Sequence, residues 1–287
     1  MDHPLNHPQL NVPGLLKLHG IEPNKRLGQN FLIDPVYLSR VVDASEITEK
    51  DTVLEIGAGV GNLTSFLGAQ AKQVIAVEID SALIPILTEV TGKYPNIKII
   101  EGDIFGYELL ELVTSKIYYV VANIPYYITS KLIRHLMTSV AKPERVILTI
   151  QKEVAERICA PAGKLSLLGL SVQIFGHPDI KSKIPAGAFY PSPKVDSAIV
   201  RIDMYPSPRI PAEYLEPFFH LVKAGFSQKR KNLRNSLSAG TNLDKKSIEE
   251  LLGSVGIDPR RRAETLSIEE WQSVTLEYMN LISPKKS

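Results

Sequence analysis

The stretch that decides the fold is Ala122-Asn123-Ile124-Pro125-Tyr126-Tyr127, which follows the apolar run Ile117-Tyr118-Tyr119-Val120-Val121. Because the run is apolar at successive positions, both of its faces are apolar, which predicts a strand buried inside a parallel sheet. An amide side chain, a proline turn and an aromatic ring then follow at the carboxyl end of this strand. These groups suit a site that holds a planar base by its edge and its face.

Adenine is a base that this motif could hold. Its exocyclic amine is a poor nucleophile, since the lone pair is delocalised into the ring. The Asn123 side-chain oxygen and the Ile124 carbonyl could accept the two amine hydrogens while Tyr126 stacks on the ring. A strand end with a proline turn and a half-buried tyrosine would show the same residues, so the motif needs support from the rest of the chain.

A glycine-rich turn, Glu55-Ile56-Gly57-Ala58-Gly59-Val60-Gly61, follows an earlier predicted strand. Gly57 and Gly59 would let the backbone pass close to a ligand. The spacing is GxGxG, unlike the GxGxxG that places a helix N-terminus against a pyrophosphate. Two further predicted strands end near Glu78, placed to bind ribose hydroxyls, and Asp103, placed to accept from an adenine amine. The pattern predicts an adenosine pocket without phosphate recognition, with plain solvated acids as the alternative for both carboxylates.

Two other segments supply candidate contacts. The arm Leu27-Gly28-Gln29-Asn30-Phe31-Leu32 precedes Asp34-Pro35, which predicts an N-cap and the first residue of a helix. The proline-dense loop from Lys183 to Ser197 would hold Phe189 rigidly. Phe189 could face a base from the side opposite Tyr126, or it could be a hydrophobic plug under the loop.

Composition limits the class of protein. The chain has 287 residues, 44% of them hydrophobic, which is enough for one large domain and one smaller one. The single cysteine, Cys159, excludes an internal disulfide and a zinc cluster and predicts a reducing compartment. The sequence lacks both a run of about 18 apolar residues and a signal-peptide pattern, so we expect a cytoplasmic protein without a metal site or membrane association.

The order of predicted elements divides the chain into three parts. Residues 1–14 predict a flexible leader, residues 15–205 alternate between strand and helix, and residues 206–287 predict helices only. From residue 206 onward there are 13 Lys and Arg against 10 Asp and Glu, and the excess is concentrated in a few clusters. The main cluster consists of Lys229, Arg230, Lys231 and Arg234. These side chains would contact RNA phosphates, or they would lie on a solvated basic helix.

Five motifs, in this order, resemble the small-subunit ribosomal RNA adenine N6-dimethyltransferases, the dimethyladenosine transferases linked to kasugamycin resistance. The resemblance covers about residues 15–281 and is carried by Leu27-Gly28-Gln29-Asn30-Phe31-Leu32, Glu55-Ile56-Gly57-Ala58-Gly59, Asn123-Ile124-Pro125-Tyr126, Phe189-Tyr190-Pro191-Ser192-Pro193-Lys194-Val195-Asp196-Ser197 and Arg230-Lys231-Asn232-Leu233-Arg234-Asn235. It implies a Rossmann-like methyltransferase sheet with a small C-terminal helical domain. It also implies that S-adenosylmethionine is bound by Asn30, Leu32, Gly57, Gly59, Glu78, Asp103 and Asn123.

The substrate implied by the resemblance is a pair of adjacent adenosines in the loop of the 3′-terminal helix of small-subunit rRNA, each methylated twice. We expect a monomer that acts on an immature small subunit. Three alternatives stay open at this point: an erythromycin-resistance methylase of large-subunit rRNA, a non-catalytic assembly factor and an NAD-dependent oxidoreductase on a similar sheet. The glycine spacing argues against the last of these.

Overall fold

The computed structural model describes residues 10–125, 128–228 and 230–282 and divides them into two compact units. The first contains residues up to 156 and residues 177–204, and the second contains residues 157–176 and those from 205 onward. The sequence analysis assigned residues 157–176 to the α/β domain, but their backbone bonds join them to the helical unit. The Leu165 amide donates to the Glu264 carbonyl at 3.1 Å, and the Tyr205 amide donates to the Phe175 carbonyl at 2.8 Å.

The first unit is built on a seven-stranded sheet and a separate two-stranded ribbon. Its strands are β1 (Phe31–Leu32), β2 (Thr52–Ile56), β3 (Gln73–Glu78), β4 (Ile97–Glu101), β5 (Tyr119–Asn123), β6 (Arg145–Gln151), β7 (Gly176–Ile184), β8 (Phe189–Tyr190) and β9 (Ser197–Met204). The sheet has the order β4-β3-β2-β5-β6-β9-β7, and the ribbon pairs β1 with β8. Strands β2 to β6 are parallel to one another, and β9 is antiparallel to β6.

This strand order determines where a ligand can bind. The chain adds β3 and β4 on one side of β2 and then returns to place β5 on its other side, which leaves a crevice at the carboxyl ends of β2 and β5. The central strands are buried on both faces because helices cover both: all five residues of β2 and the three middle residues of β5 are buried.

The helices of the first unit flank the sheet, and some of them begin at side-chain caps. They are α1 (Val12–Leu18), α2 (Pro35–Ser45), α3 (Asn62–Gln70), α4 (Ile84–Thr91), α5 (Leu109–Leu112), α6 (Thr129–Thr138) and α7 (Lys152–Ile158). The predicted cap of α2 is confirmed, since Asp34 accepts from the Val36 amide at 2.9 Å and Pro35 is the first helical residue. The inward side of α6 is apolar, with Leu132, Ile133 and Leu136 buried.

The second unit is helical in its described part. Its helices are α8 (Leu167–Gln173), α9 (Leu215–Phe226), α10 (Leu233–Gly240), α11 (Lys245–Ser254) and α12 (Ile268–Ile282). Trp271 is fully buried at its centre. Glycines let these helices approach closely, because a Cβ on Gly225 would lie 2.5 Å from the Trp271 ring and one on Gly240 would lie 2.4 Å from the Ala224 Cβ. The predicted fold class, an α/β sheet domain with a C-terminal helical domain, is confirmed.

Candidate active site

A cavity of about 370 Å³ lies at the carboxyl ends of the central strands of the first unit. Glu55, Lys131 and the arm before β1 form part of its wall. The structure brings most of the predicted site residues together here, since its lining includes Asn30, Leu32, Gly57, Gly59, Glu78, Asp103, Asn123 and Phe189. Tyr126, the predicted stacking ring, lies outside the described residues.

Glu78 ends β3 and organises the glycine turn. Its Oε2 accepts from the Gly59 amide at 2.6 Å, and its Oε1 accepts from the Asp80 amide at 2.8 Å. Burial raises the pKa of this carboxyl, while these backbone donors act in the opposite direction. The carboxylate therefore joins the turn after β2 to the loop after β3 at the edge of the cavity.

Gly59 and Gly61 adopt backbone conformations that disfavour a side chain. Their φ angles are +59° and +84°, in the left-handed region. A Cβ on Gly59 would also lie 3.0 Å from the Phe31 ring, and one on Gly61 would lie 2.9 Å from the Leu87 Cδ1 atom. The glycines thus form a turn that β1 and α4 pack against directly.

Glu55 was quoted in the glycine motif, but the sequence analysis gave it no role. It lines the cavity, is only 1% exposed, and neither of its carboxyl oxygens has a hydrogen-bond partner among the described residues. Burial raises its pKa to about 8; the neighbouring Thr64 hydroxyl opposes this shift but makes no hydrogen bond of ordinary geometry. Its signal in the sequence is an acid within an otherwise apolar strand, directly before a glycine turn.

Asn123, at the carboxyl end of β5, is held by the arm. Its Nδ2 atom donates to the Asn30 carbonyl at 3.2 Å. Since the amide nitrogen is used in this bond, the side-chain oxygen is the group that can accept from a ligand. The Asn30 side chain turns back and donates to the Gly28 carbonyl at 3.0 Å.

The ribbon of β1 and β8 brings two other predicted residues to the cavity. Leu32 pairs with Phe189 across the ribbon, and both side chains are buried. The Asn62 side chain, on the first turn of α3, donates to the Leu32 carbonyl at 2.7 Å and fixes the ribbon to the sheet domain. Phe189 therefore both packs in the core and contributes to the cavity wall.

Asp103 lies at the opposite end of the wall, after β4. One of its oxygens accepts from the Phe105 amide at 3.0 Å and caps the following 3₁₀ turn. The Lys131 ammonium lies 3.7 Å from the centre of the Phe105 ring, a cation–π contact between two cavity residues. The sequence analysis identified neither Phe105 nor Lys131.

The predicted RNA-binding cations differ in their surroundings. Arg230 and Lys231 are exposed, whereas Arg234 is half-buried and forms an ion pair with Glu249 at 2.6 Å. Lys229 lies outside the described residues. The charge of Arg234 is therefore partly neutralised within the helical unit.

The described residues contain neither a metal-binding cluster nor a helix that could span a membrane. No group of three or more His, Cys, Asp or Glu side chains in that part of the chain is arranged to hold a metal ion. None of the helices in the same ranges combines the length and apolar composition needed to cross a membrane.

Comparison with known proteins identifies the family. The family model described as ribosomal RNA adenine dimethylase matches residues 20–280. The chain belongs to the ribosomal RNA adenine dimethylase family. Its resemblance to this family is thus confirmed, and it is an enzyme of the dimethyltransferase class.

Three curated relatives of this dimethylase share one name. A protein called ribosomal RNA small subunit methyltransferase A from Dehalococcoides mccartyi is 44% identical over 265 residues, covering 92% of this chain and 91% of that protein. Proteins of the same name from Clostridium botulinum and Alkaliphilus oremlandii are 41% and 40% identical, over 91% and 86% of this chain and 96% and 89% of those proteins.

Two solved structures share the fold of the dimethylase. A dimethyladenosine transferase from Plasmodium falciparum is 29% identical, with a TM-score of 0.73 and coverage of 86% of this chain and 97% of that one. The 23S rRNA methyltransferase ErmE is 27% identical, with a TM-score of 0.70 and coverage of 86% and 99%. The fold is thus shared with these two proteins over 86% of this chain.

Proposed function

We propose that this enzyme uses S-adenosylmethionine to dimethylate N6 of two adjacent adenosines in the 3′-terminal hairpin loop of small-subunit rRNA. The observation that carries the proposal is the placement of Asn123. Its amide nitrogen is bound to the arm and its oxygen is left to accept, at the end of a strand that borders an adenosine-sized cavity. The curated relatives named for the small subunit support the choice of RNA.

The charge of the cavity wall suits a cationic cofactor. Three carboxyl groups line it, those of Glu55, Glu78 and Asp103, against one cation, Lys131, among the described lining residues. Burial raises the pKa of Glu55 to about 8, so this carboxyl ionises fully only when a cation binds beside it. When bound, S-adenosylmethionine supplies the methyl group, and it carries a sulfonium and an ammonium that such a wall attracts. The partnerless Glu55 carboxyl can accept from the ammonium, while Glu78 and Asp103 can accept from the ribose and adenine.

The target base would be oriented by hydrogen bonds and by contacts with aromatic rings. Asn123 Oδ1 and the Ile124 carbonyl accept the two hydrogens of the adenine amine, which orients its lone pair toward the cavity. Phe189 lines the wall beside them, and Tyr126 is the second ring that we propose for stacking. No general base is required, since the amine proton becomes acidic only after the methyl group has been transferred. Catalysis then comes from alignment and fixed polar contacts.

The substrate RNA is much larger than the cavity, so other surfaces must contact it. The exposed Arg230 and Lys231 of the helical unit can contact phosphates without recognising sequence. A base in a loop can enter the site without the full unstacking cost of a duplex. We therefore propose that a monomer acts in the cytoplasm on RNA presented by an immature small subunit.

The test is transfer of labelled methyl groups from S-adenosylmethionine to immature small subunits, naked small-subunit rRNA and large subunits, with mapping of the modified base. We expect paired dimethyladenosines near the 3′ end of the small-subunit RNA. Label confined to the large subunit would contradict the proposed substrate. Cofactor binding without transfer to any of the three would contradict the proposed reaction and favour a non-catalytic assembly role.

A further inference from the structure

The segment before β1, residues 22–30, contains a loop that is closed by its own hydrogen bonds. The Gln29 amide donates to the Asn24 carbonyl at 3.3 Å, and the Asn24 amide donates to the Gln29 Oε1 atom at 2.7 Å. The Asn24 side chain in turn accepts from the Arg26 amide at 2.9 Å. The loop of residues 24–29 is therefore a preformed unit, and Gln29 has its side-chain oxygen committed to it.

The Gln29 side-chain nitrogen connects this loop to the other side of the cavity. It donates to the Asp80 Oδ2 atom at 2.6 Å, and both groups are partly buried. Asp80 is itself fixed, because its Oδ1 accepts from the Ala82 amide at 3.1 Å and its backbone amide donates to Glu78. Gln29 lines the cavity from the arm, and Glu78 lines it from β3.

Two hydrogen bonds join residues 22–30 to the rest of the described chain. One is the Gln29–Asp80 bond, which we call the latch, and the other runs from the Asn123 side chain to the Asn30 carbonyl. The two arm residues are adjacent in sequence. A shift of Gln29 away from Asp80 would therefore move the carbonyl that holds the Asn123 amide.

We propose that Gln29 and Asp80 are positioning residues: the latch seats the arm, and the seated arm fixes Asn123 with its oxygen directed to the target amine. The inference rests on the proposed function and extends it to two residues that do not themselves contact the reacting atoms. It couples cofactor retention to the alignment of the base, since the same arm segment borders the cavity and holds the amide.

The chemistry of the pair permits a reciprocal test. Gln29→Glu places a carboxylate against the Asp80 carboxylate, and Asp80→Asn places two amide nitrogens against each other. In the double variant the new amide at position 80 can donate to the new carboxylate at position 29. The other carboxylate oxygen still accepts from the Asn24 amide, and the new amide oxygen still accepts from the Ala82 amide.

The variants are compared in three measurements: the Kd for S-adenosylmethionine by calorimetry, the single-turnover methyl-transfer rate on small subunits at saturating cofactor, and amide exchange across residues 30–33. Each single variant should bind the cofactor about tenfold more weakly or worse and transfer methyl about tenfold more slowly, as expected for loss of a charge-assisted hydrogen bond. Their amide exchange should be faster. The double variant should return toward wild type in all three.

The matched control is Glu89→Gln. Glu89 pairs with His19 at 3.1 Å and so also joins the N-terminal segment to α4, but neither residue lines the cavity. The methyl-transfer rate and the cofactor Kd of Glu89→Gln should stay within about twofold of wild type, because an exposed ion pair contributes little. Equal melting temperatures for the single and double variants would show that the changes in rate do not come from lost stability.

Two results would overturn the inference: single variants that match wild type in rate and affinity, or a double variant no better than the singles. A wild-type enzyme that transfers no methyl group would instead contradict the proposed function. The amide exchange of residues 30–33 would still decide the latch in that case, because it requires no cofactor. Amide exchange that is faster in the single variants and returns to the wild-type rate in the double variant supports the latch. Amide exchange that is unchanged in the single variants refutes it.

Discussion

Replacing Glu55 with Gln should change how the stability of the enzyme depends on pH. Burial raises the pKa of Glu55 from 4.5 to about 8, so the folded state favours the protonated carboxyl. Its contribution to stability is complete below pH 4.5 and is lost as the pH rises through about 8. The Glu55→Gln variant would have no such titration, and its amide keeps the shape of the neutral acid.

The expected magnitude follows from the two pKa values. At about 1.4 kcal/mol per pH unit, the unfolding free energy of wild type relative to Glu55→Gln should fall by about 3 kcal/mol between pH 4.5 and 7 and by about 5 kcal/mol above pH 8. Any constant offset between the proteins reports how well the amide packs. The pH-dependent part reports the carboxyl alone.

The measurement is urea unfolding without cofactor, followed by far-UV circular dichroism at several values between pH 5 and 8.5. Glu101→Gln is the control, since Glu101 ends β4 in the same sheet but is exposed. It should give a curve parallel to wild type. Parallel curves for Glu55→Gln as well would refute the argument that Glu55 is buried without a partner.

The same substitution tests the role of Glu55 toward the cofactor. A cationic ligand favours the ionised carboxylate, so the wild-type affinity for S-adenosylmethionine should increase as the pH rises toward 8. In Glu55→Gln this part of the pH dependence should be absent. An identical pH profile in both proteins would place the cofactor ammonium away from Glu55.

Three further substitutions test other parts of the structure. Asn123→Ala should lower the single-turnover transfer rate about 100-fold, and an unchanged rate would remove Asn123 from the site. Gly61→Ala should cost about 1–3 kcal/mol by thermal unfolding, because its φ is +84° and its Cβ would meet Leu87, whereas Gly187→Ala has open space and should be neutral. Replacing Arg230 and Lys231 together with Ala should weaken RNA binding and lower the slope of log Kd against log salt by about 0.7 per lost phosphate contact; an unchanged slope would place the RNA elsewhere.

Sequence patterns predicted the strands that are buried on both faces and failed at an edge. Val120 and Val121 mark β5 because neighbouring residues point to opposite faces, and both faces are covered. The edge strand β7 was not predicted, because its residues alternate between half-buried and exposed and include Pro178. Pairing with β9 stabilises β7 as a strand, and this pairing is not visible in the local sequence.

The residues of the candidate site also fall into those that the sequence predicts and those that it does not. The residues that follow the strands, such as Gly57 and Asn123, could be predicted because parallel strands bring their carboxyl ends to one edge. The pairing of Arg234 with Glu249 and the contact of Lys131 with Phe105 could not, because they depend on how helices pack. Glu55 was missed for a different reason, since an acid in a strand usually faces solvent.

The division of the helical unit into two chain segments affects how this enzyme could be rebuilt. The backbone passes between the units three times, after residues 156, 176 and 204. The helical unit is therefore not formed by the C-terminal segment alone. A chimaera made by joining a foreign C-terminal domain at residue 205 would keep α8 while losing Glu264 and the helices of its own unit. Leu165 and Leu170, both buried in this protein, would then need new partners. Recombination that preserves folding must therefore exchange residues 157–176 together with the C-terminal segment.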